Sequence, residues 1–241
     1  MRARNAEDAD TKQAVLRSAA VLFLERGFTG ATAQAISERA EVTTGGMFNY
    51  FDSKEAVLCE IVQEMFRKQL STVERILPSS DPALQYGTKA ALQFHIAELN
   101  ESLRDVYVSA YSLPTTTAQI HKMVTKMIYR SFKDAFPDYG EKDFYELEIG
   151  TAGLMRGYLA YPCNMYFTLE NKIDRFLETG MSIYRVPPEK RKNVIASIHA
   201  LPMEEVAVQM VADVITYYGG AGDTVHQHIR HINDKNRRIL K

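Results

Sequence analysis

Residues 32–58 read TAQAISERAEVTTGGMFNYFDSKEAVL, and this stretch decides the fold of the N-terminal part of the chain. Three short helical patterns follow one another here, and each is preceded by a residue that can cap a helix N-terminus: Thr32, Thr43 and Asp52. Glu55 stands at the reciprocal position of a capping box that begins at Asp52. The middle helix is too short and too polar to belong to a core. Two short helices joined by a tight turn predict a helix-turn-helix, whose second helix enters the major groove of DNA.

The same stretch resembles the DNA-binding half of the TetR-type (TetR/AcrR) repressor family. The family signature runs roughly Ala-Gly-Val-Ser-Lys-Gly-Thr-Leu-Tyr-His-Tyr-Phe-x-Ser-Lys-Glu, and residues 40–55 of this chain read AEVTTGGMFNYFDSKE. Upstream, an amphipathic first helix closes at Arg26-Gly27-Phe28, which also fits the family. The resemblance covers about the first quarter of the chain. It implies an all-α fold, with an N-terminal three-helix helix-turn-helix DNA-binding domain and a larger C-terminal helical domain for ligand binding and dimerisation.

The resemblance also implies which residues contact DNA, because the family places its third helix in the groove and the flanking hydroxyls and lysine on phosphates. The matching positions are Thr32, Thr43, Thr44, Gly45, Gly46, Phe48, Asn49, Tyr50 and Lys54. Thr44, Gly46 and Phe48 replace the lysine, threonine and tyrosine that are common in the family, and each replacement removes a side-chain contact. Asn49 can pair with adenine in the major groove, or it can contact a phosphate.

The adjacent glycines of the third helix have two interpretations. Gly45 and Gly46 cost a helix roughly 1 kcal/mol each relative to alanine. They either form the turn or let the backbone approach the duplex closely, and we favour close approach.

The charge of the predicted DNA-binding segment is close to neutral. Residues 1–58 contain seven Lys and Arg against eight Asp and Glu, and the whole chain has a formal net charge of −1. Strong non-specific binding needs a basic face that replaces condensed counterions. We therefore expect weak non-specific binding with a shallow salt dependence. Affinity then rests on local groups: helix N-termini, hydroxyls, Lys54 and an N-terminal arm with Arg2 and Arg4.

Composition and motifs exclude several other classes. The 241 residues contain 46% hydrophobic and 24% charged residues, without an apolar run of the ~18 residues that a membrane span needs. The N-terminus has no apolar signal-peptide region, so we expect a cytoplasmic protein with reduced thiols at Cys59 and Cys163. We predict neither a cofactor nor a metal, and no enzyme activity, because Glu-x-x-His, GxSxG and Walker A patterns are all missing. The alternatives are an enzyme and a constitutive DNA-binding protein without a ligand.

Helical periodicity continues over most of the chain, and sustained strand alternation is missing. Beyond the helix-turn-helix we predict a long helix from near Ser53 to Leu77, and helices over 82–103, 104–112, 117–136, 141–168, 170–184, 188–200 and 203–218. We predict a DNA-binding domain over 1–55, a ligand-binding and dimerisation domain over 56–222, and a basic polar tail over 223–241. The tail holds His226, His228 and His231, but this spacing favours a solvated segment over a metal site.

Tyrosine and methionine recur on the central helices at helical spacing. Such stripes are ordinary core residues, or they line a mainly apolar cavity with a few polar groups. We predict that a small apolar or aromatic effector binds within 92–170 and releases the protein from its DNA operator. The candidate lining residues are Tyr107, Tyr111, Met123, Met127, Met155 and Tyr158, with His95, His121 and Arg156 as possible polar partners.

A homodimer is the predicted form, because one short reading helix offers too little contact for a specific site. We place the interface within 141–218. The apolar residues of the last helix exceed what one amphipathic face needs; they are Val206, Val208, Met210, Val211, Val214, Ile215 and Tyr218. A second feature is a stripe of small residues, Gly150, Gly153, Gly157 and Ala160, which lets either an intramolecular or a partner helix come close.

Overall fold

The structure is a computed structural model that describes residues 2–78 and 81–221, with side chains from residue 9 onward. Within these residues the chain is helical, apart from loops and an isolated antiparallel bridge between Asn164 and Phe167. The helices are α1 (Arg2–Gly30), α2 (Ala33–Arg39), α3 (Thr44–Phe48), α4 (Lys54–Ile76), α5 (Pro82–Leu99), α6 (Glu101–Ala110), α7 (Pro114–Phe132), α8 (Glu141–Ala160), α9 (Leu169–Ile183), α10 (Pro188–His199) and α11 (Met203–Tyr217). The predicted all-α class is confirmed. The predicted tail and its three histidines lie outside the described residues.

Side-chain caps set the starts of the short helices. The Thr32 hydroxyl accepts a hydrogen bond from the Ala35 N–H at 3.1 Å, and that of Thr43 accepts one from Gly46 at 2.9 Å. The predicted cap at Asp52 is wrong. Ser53 has the extended backbone directly before α4, and its hydroxyl accepts the Ala56 N–H at 3.1 Å. Asp52 lies one residue too early for that contact.

Two residues with positive φ shape the helix-turn-helix. Gly27 (φ 71°, ψ 176°) breaks α1 before its last residues, as the sequence predicted for the helix end. Its lack of a side chain is also required by packing, because a Cβ there would lie 2.5 Å from Asp105 Oδ2. Glu41 (φ 58°) occupies the left-handed region in the turn between α2 and α3. The TetR-type signature has glycine at this position, so this chain carries a strained residue where the family has a relaxed one.

Helix α4 connects the helix-turn-helix to the rest of the chain. It has 23 residues, and at 1.5 Å per residue it is about 35 Å long. Val57 and Leu58 are completely buried near its start, and Val73 is completely buried near its end. These residues belong to one contiguous apolar core that extends from α1 to the end of α11. The proposed domain boundary at residue 55 falls in the first turn of α4 and stays a prediction.

Three predicted helix boundaries are wrong for local reasons. Helix α5 ends at Leu99 because Asn100 has an extended backbone and caps α6, its Oδ1 accepting the Leu103 N–H at 2.7 Å. Helix α7 begins at Pro114, which supplies the first helical residue. Helix α8 ends at Ala160, eight residues before the predicted end at 168, because Pro162 cannot continue it.

The last helix is buried within its own chain. Helix α11 packs against α1, α4 and α5. Met210, Val211, Val214, Ile215 and Tyr218 are each at most 6% exposed. The apolar character of these five residues therefore reflects contact with several helices of the same chain, and they do not contact a partner subunit. Val206 and Val208 are half-buried, and a dimer interface within 141–218 stays a prediction.

Among the described residues, no single helix has the length and apolar character of a membrane span. Helices α10 and α11 meet that test only when they are taken together, and they are bent by 69°. Cys59 is buried, Cys163 is half-buried, and both are free thiols.

Candidate functional sites

Helix α3 divides its residues between the core and solvent. Met47 is completely buried and Phe51, just beyond the helix, is 4% exposed. The predicted reading residues Thr43, Thr44, Gly45, Phe48 and Asn49 are all exposed. Phe48 leaves 45% of its surface accessible, which is unusual for a large apolar side chain on so small a helix. The structure thus brings these five predicted residues together on one solvent-facing side.

The environment of the two glycines separates their roles. A Cβ on Gly45 would have nothing within 4 Å, whereas one on Gly46 would lie 3.1 Å from the Thr43 hydroxyl. Both residues lie inside α3, and the left-handed turn residue is Glu41. Turn formation therefore does not require either glycine. Close approach of Gly45 to DNA stays a prediction, supported by the open space in front of it.

Thr32 and Tyr50 flank α3 in different environments. Thr32 is exposed while its hydroxyl caps α2, so capping and a phosphate contact are geometrically compatible. Tyr50 is half-buried and packs against the core. Their contacts with phosphates stay predictions.

Lys54 has an intramolecular role in addition to its predicted phosphate contact. Its Nζ donates to the carbonyl oxygens of Phe28 at 2.7 Å and Ala31 at 2.9 Å, and lies 4.0 Å from the centre of the Phe28 ring. Partial burial lowers the pKa of Lys54, and the nearby Asp105 carboxylate opposes this shift. The ammonium thus fixes the start of α4 to the end of α1. One of its three N–H groups remains for a phosphate.

Two other cations of the helix-turn-helix half are paired with carboxylates, whereas Arg17 and Arg26 are exposed and take part in none of the ion pairs of the described residues. Arg39 contacts Glu25 at 3.1 Å, and Lys12 contacts Glu60 at 2.6 Å. The side chains of Arg2 and Arg4 lie outside the described set. The exposed residues of α3 and its flanks therefore offer hydroxyls, an amide and an aromatic ring.

A cavity of 520 Å³ lies between α4, α5, α7 and α8, with contributions from Tyr111 and Phe176. Its volume falls within the roughly 300–1,000 Å³ that is typical of small-molecule sites. Four of the six predicted lining residues are in its wall: Tyr111, Met123, Met127 and Met155. The wall also extends beyond the predicted range of 92–170, because α4 and the first half of α5 form one side of it.

Two predicted lining residues lie elsewhere. Tyr107 is 3% exposed and belongs to the core one turn before Tyr111. Tyr158 stacks on Phe167, with ring centres 5.8 Å apart, and is not among the residues of the cavity wall. Periodicity places residues on a helix face, but which end of that face borders the cavity depends on neighbouring helices.

Of the three predicted polar partners, one contacts a residue of the cavity wall and the other two do not. The His121 imidazole contacts the carboxylate of Glu148, which lines the cavity. Arg156 donates to the Ser112 hydroxyl at 2.7 Å on the exposed side of α8. His95 is half-buried and is not part of the wall.

A chain of polar groups crosses the cavity wall and was not predicted. The Tyr111 hydroxyl donates to Gln93 Oε1 at 2.8 Å, and Gln93 Nε2 donates to Gln69 Oε1 at 3.4 Å. Gln69 in turn donates to the backbone carbonyl of Lys89. These bonds connect α6, α5 and α4 within the wall. A signal for them exists in the sequence, since Gln85, Lys89 and Gln93 recur every four residues on a mainly apolar helix.

Two ionisable groups of the wall have shifted pKa values. Burial raises the pKa of Glu148, an effect that His121 opposes. Burial lowers the pKa of Lys89, and the Glu74 carboxylate opposes it. Both shifts have the direction that removal from water gives to a charged group.

A helix-turn-helix with an exposed face on its third helix, joined by one long helix to a helical domain with a cavity, is an arrangement typical of DNA-binding regulators. Residues 15–61 match the family described as bacterial regulatory proteins of the tetR family. The N-terminal part of the chain therefore carries the DNA-binding segment of the TetR family.

Comparison with known proteins agrees with this assignment. Over 92 residues, 38% of this chain, it is 33% identical to the HTH-type transcriptional repressor DhaR of Mycobacterium sp. (strain GP1). That alignment spans 44% of DhaR, which is less than half of the relative. A solved structure of RolR with its ligand resorcinol has a TM-score of 0.62 at 16% identity, covering 80% of this chain and 96% of RolR. SmeT, the repressor of the Stenotrophomonas maltophilia efflux pump SmeDEF, has a TM-score of 0.51 at 19% identity, covering 72% and 91%. At these identities the two structures show the fold alone.

Proposed function

We propose that the protein is a homodimeric transcriptional repressor that a small, mainly apolar or aromatic ligand releases from a palindromic operator. The observation that carries this proposal is that α4 is shared by the two sites. Phe66, Gln69 and Leu70 of α4 line the cavity, while its first turn carries Ser53 and Lys54 beside the reading helix. A ligand that displaces α4 therefore changes the position of α3.

Two hydrogen-bonded contacts connect the cavity domain to the helix-turn-helix. Asp105 of α6 accepts from the Thr29 N–H at 2.7 Å and from its hydroxyl at 2.9 Å. Glu55 of α4 accepts from the Thr115 N–H, in the first turn of α7, at 2.6 Å. Tyr111 of the cavity wall lies between Asp105 and Thr115 in the chain. A ligand that displaces this segment would therefore perturb both the Asp105–Thr29 and the Glu55–Thr115 hydrogen bonds.

The ligand must bind one conformation better than the other to act in this way. A coupling free energy of roughly 1 to 3 kcal/mol would lower operator affinity about 5- to 150-fold. In the conformation that the ligand prefers, the distance between the two reading helices no longer matches half-sites about 34 to 36 Å apart.

The exposed face of α8 is the surface that we propose for the partner subunit. Tyr145 and Ile149 are 42% and 47% exposed there. A Cβ on Gly150, Gly153 or Gly157 would have nothing within 4 Å. The loop that follows adds Tyr161, Met165 and Tyr166, which are 71%, 83% and 86% exposed. A small and apolar face of this extent suits the close approach of a symmetry-related helix.

The class of ligand follows from the apolar cavity wall. RolR, whose fold this chain shares, was solved with resorcinol, a small aromatic molecule. The tyrosine, methionine and phenylalanine side chains around the cavity suit a ligand of similar or larger apolar surface.

Selection of bound duplexes from a random library tests the repressor proposal. We expect enrichment of one roughly palindromic motif, and Asn49→Ala should relax preference at particular bases by roughly 1 to 3 kcal/mol if the amide contacts a base edge. Lys54→Ala should weaken binding to all duplexes, and it should also destabilise the N-terminal helices because the carbonyls of Phe28 and Ala31 lose their donor. Failure of the folded protein to enrich any motif would contradict the proposal.

A further inference from the structure

Lys89 is a largely buried residue of the cavity wall, and its ammonium has no carboxylate at ion-pair distance among the described residues. Lys89 is 8% exposed, and its Nζ contacts the thioether sulfur of Met127 at 3.6 Å. Among the ion pairs formed within residues 9–78 and 81–221, none includes Lys89. Sulfur is a weak acceptor for a group with three strong donors.

An ammonium with these contacts alone is unfavourable. Removal of a charge from water has a high cost unless an opposite charge or several acceptors compensate it. Lys172 shows how this chain satisfies another buried lysine. Its side chain is completely buried and its Nζ lies 2.6 Å from Glu98 Oε1. Lys89 has no carboxylate at that distance, since Glu74 of the same wall acts on it only from farther away, and it faces a space large enough for a ligand.

We propose that the effector is an amphiphilic acid, with an aromatic or aliphatic body and one carboxylate, and that Lys89 binds the carboxylate. This inference rests on the proposed function, because it assigns the ligand class of the same cavity. Met123, Met127, Tyr111 and Phe176 receive the apolar body. A hydrogen bond to a charged acceptor in a largely buried site is among the strongest that a protein forms.

The charge of the wall agrees with an anionic ligand. Lys126 and Arg130 are exposed at the wall and take part in none of the ion pairs of the described residues, whereas Arg67 contacts Glu64 at 2.8 Å. The two acidic groups of the wall are Glu74, which is exposed, and Glu148, which already contacts His121. The exposed cations Lys126 and Arg130 attract anions from solution. Lys89 is the largely buried cation that an anion would contact within the cavity.

Matched acids and amides test this assignment with the full chain. The probes are naphthoate and naphthamide, phenylbutyrate and phenylbutyramide, and decanoate and decanamide, with affinities measured by isothermal titration calorimetry near neutral pH. We expect at least one acid to bind at least about tenfold more tightly than its amide, as a charge-assisted hydrogen bond implies. Equal affinities, tighter binding of the amides, or no binding of any acid would each overturn the assignment. This comparison needs no substitution.

Two lysine variants then locate the charge that is responsible. Lys89→Met keeps an apolar stem of similar length and should bring the acid-to-amide ratio close to one while leaving amide affinity within about twofold. Lys126→Met is the matched control, since it removes an exposed lysine of the same wall and should change the ratio by less than about threefold. Thermal unfolding verifies the fold, and Lys89→Met should be at least as stable as the original chain because it removes an unpaired buried charge. An unchanged ratio in folded Lys89→Met would contradict the proposal.

Operator binding separates this inference from the proposed function. If the amides release a selected duplex as well as the acids do, the anionic ligand is wrong and the repressor proposal stands. If the acids bind through Lys89 but no duplex is selected, the repressor proposal is wrong and the site stands.

Discussion

The contact between Asp105 and Thr29 should be both a stabilising interaction and a route from the cavity to the DNA-binding helices. Asp105→Ala removes two hydrogen bonds to a carboxylate, with lengths of 2.7 and 2.9 Å. Bonds to charged groups contribute about 1.5 to 3 kcal/mol each when they are buried, but Thr29 is exposed and solvent weakens them. We therefore expect Asp105→Ala to lower the free energy of unfolding by about 2 kcal/mol.

A double-mutant cycle isolates this contact. Thr29→Ala removes the hydroxyl and keeps the backbone N–H, so it should lower the free energy of unfolding by about 1 kcal/mol. Once Asp105 is absent the hydroxyl has lost this acceptor, so the double variant should resemble Asp105→Ala. The coupling energy in urea unfolding should thus be about 1 kcal/mol. Additive effects of the two substitutions would show that the contact does not stabilise the fold.

The functional half of the same prediction uses operator release. In Asp105→Ala, ligand affinity measured by calorimetry should change little, because Asp105 is not in the cavity wall. The ligand should lower operator affinity less than it does in the original chain, as fluorescence anisotropy with a selected duplex would show. An unchanged degree of release would refute the role of α6 in transmission.

Three further predictions have specific expected outcomes. Glu41→Gly should raise the free energy of unfolding by about 0.5 to 1 kcal/mol, because φ at this position is 58°, whereas Glu41→Ala keeps the strain and should not. Burial lowers the pKa of His95 from 6.5 to about 4, so the unfolded chain binds the proton first and stability should fall by about 1 to 3 kcal/mol as pH drops through this window. Urea unfolding at several pH values measures that loss, and His95→Gln should reduce it. Gly153→Arg should give a folded monomer by analytical ultracentrifugation while Gly153→Ala stays dimeric, and a dimeric Gly153→Arg would remove α8 from the interface.

Much of the helix-turn-helix could be predicted because its determinants are local. Thr32 and Thr43 cap their helices as expected, since a hydroxyl needs only the N–H three residues later. The misassigned cap at Asp52 shows the limit of this reasoning. Asp52 and Ser53 are both good caps, and only the backbone conformation at residue 53 decides between them.

The cavity could be predicted only in part. Tyr111, Met123, Met127 and Met155 have a residue type and spacing that are typical of an apolar site, and the structure brings them together. Tyr107 and Tyr158 have the same type and spacing but border other helices. The distinction depends on which helix covers each face, and no local pattern contains that information.

The sequence by itself determined where α2 and α3 begin, that the described part of the chain is helical, and which residues of α3 are exposed. Tertiary structure decided that α11 is core, that the glycine face of α8 is open, and that Gln69 and Lys89 meet Tyr111 and Gln93 across one cavity. The physical reason is the range of the interactions. Caps and helical periodicity act over three or four residues, whereas burial of a given face and pairing of a given charge depend on helices that are distant in the chain.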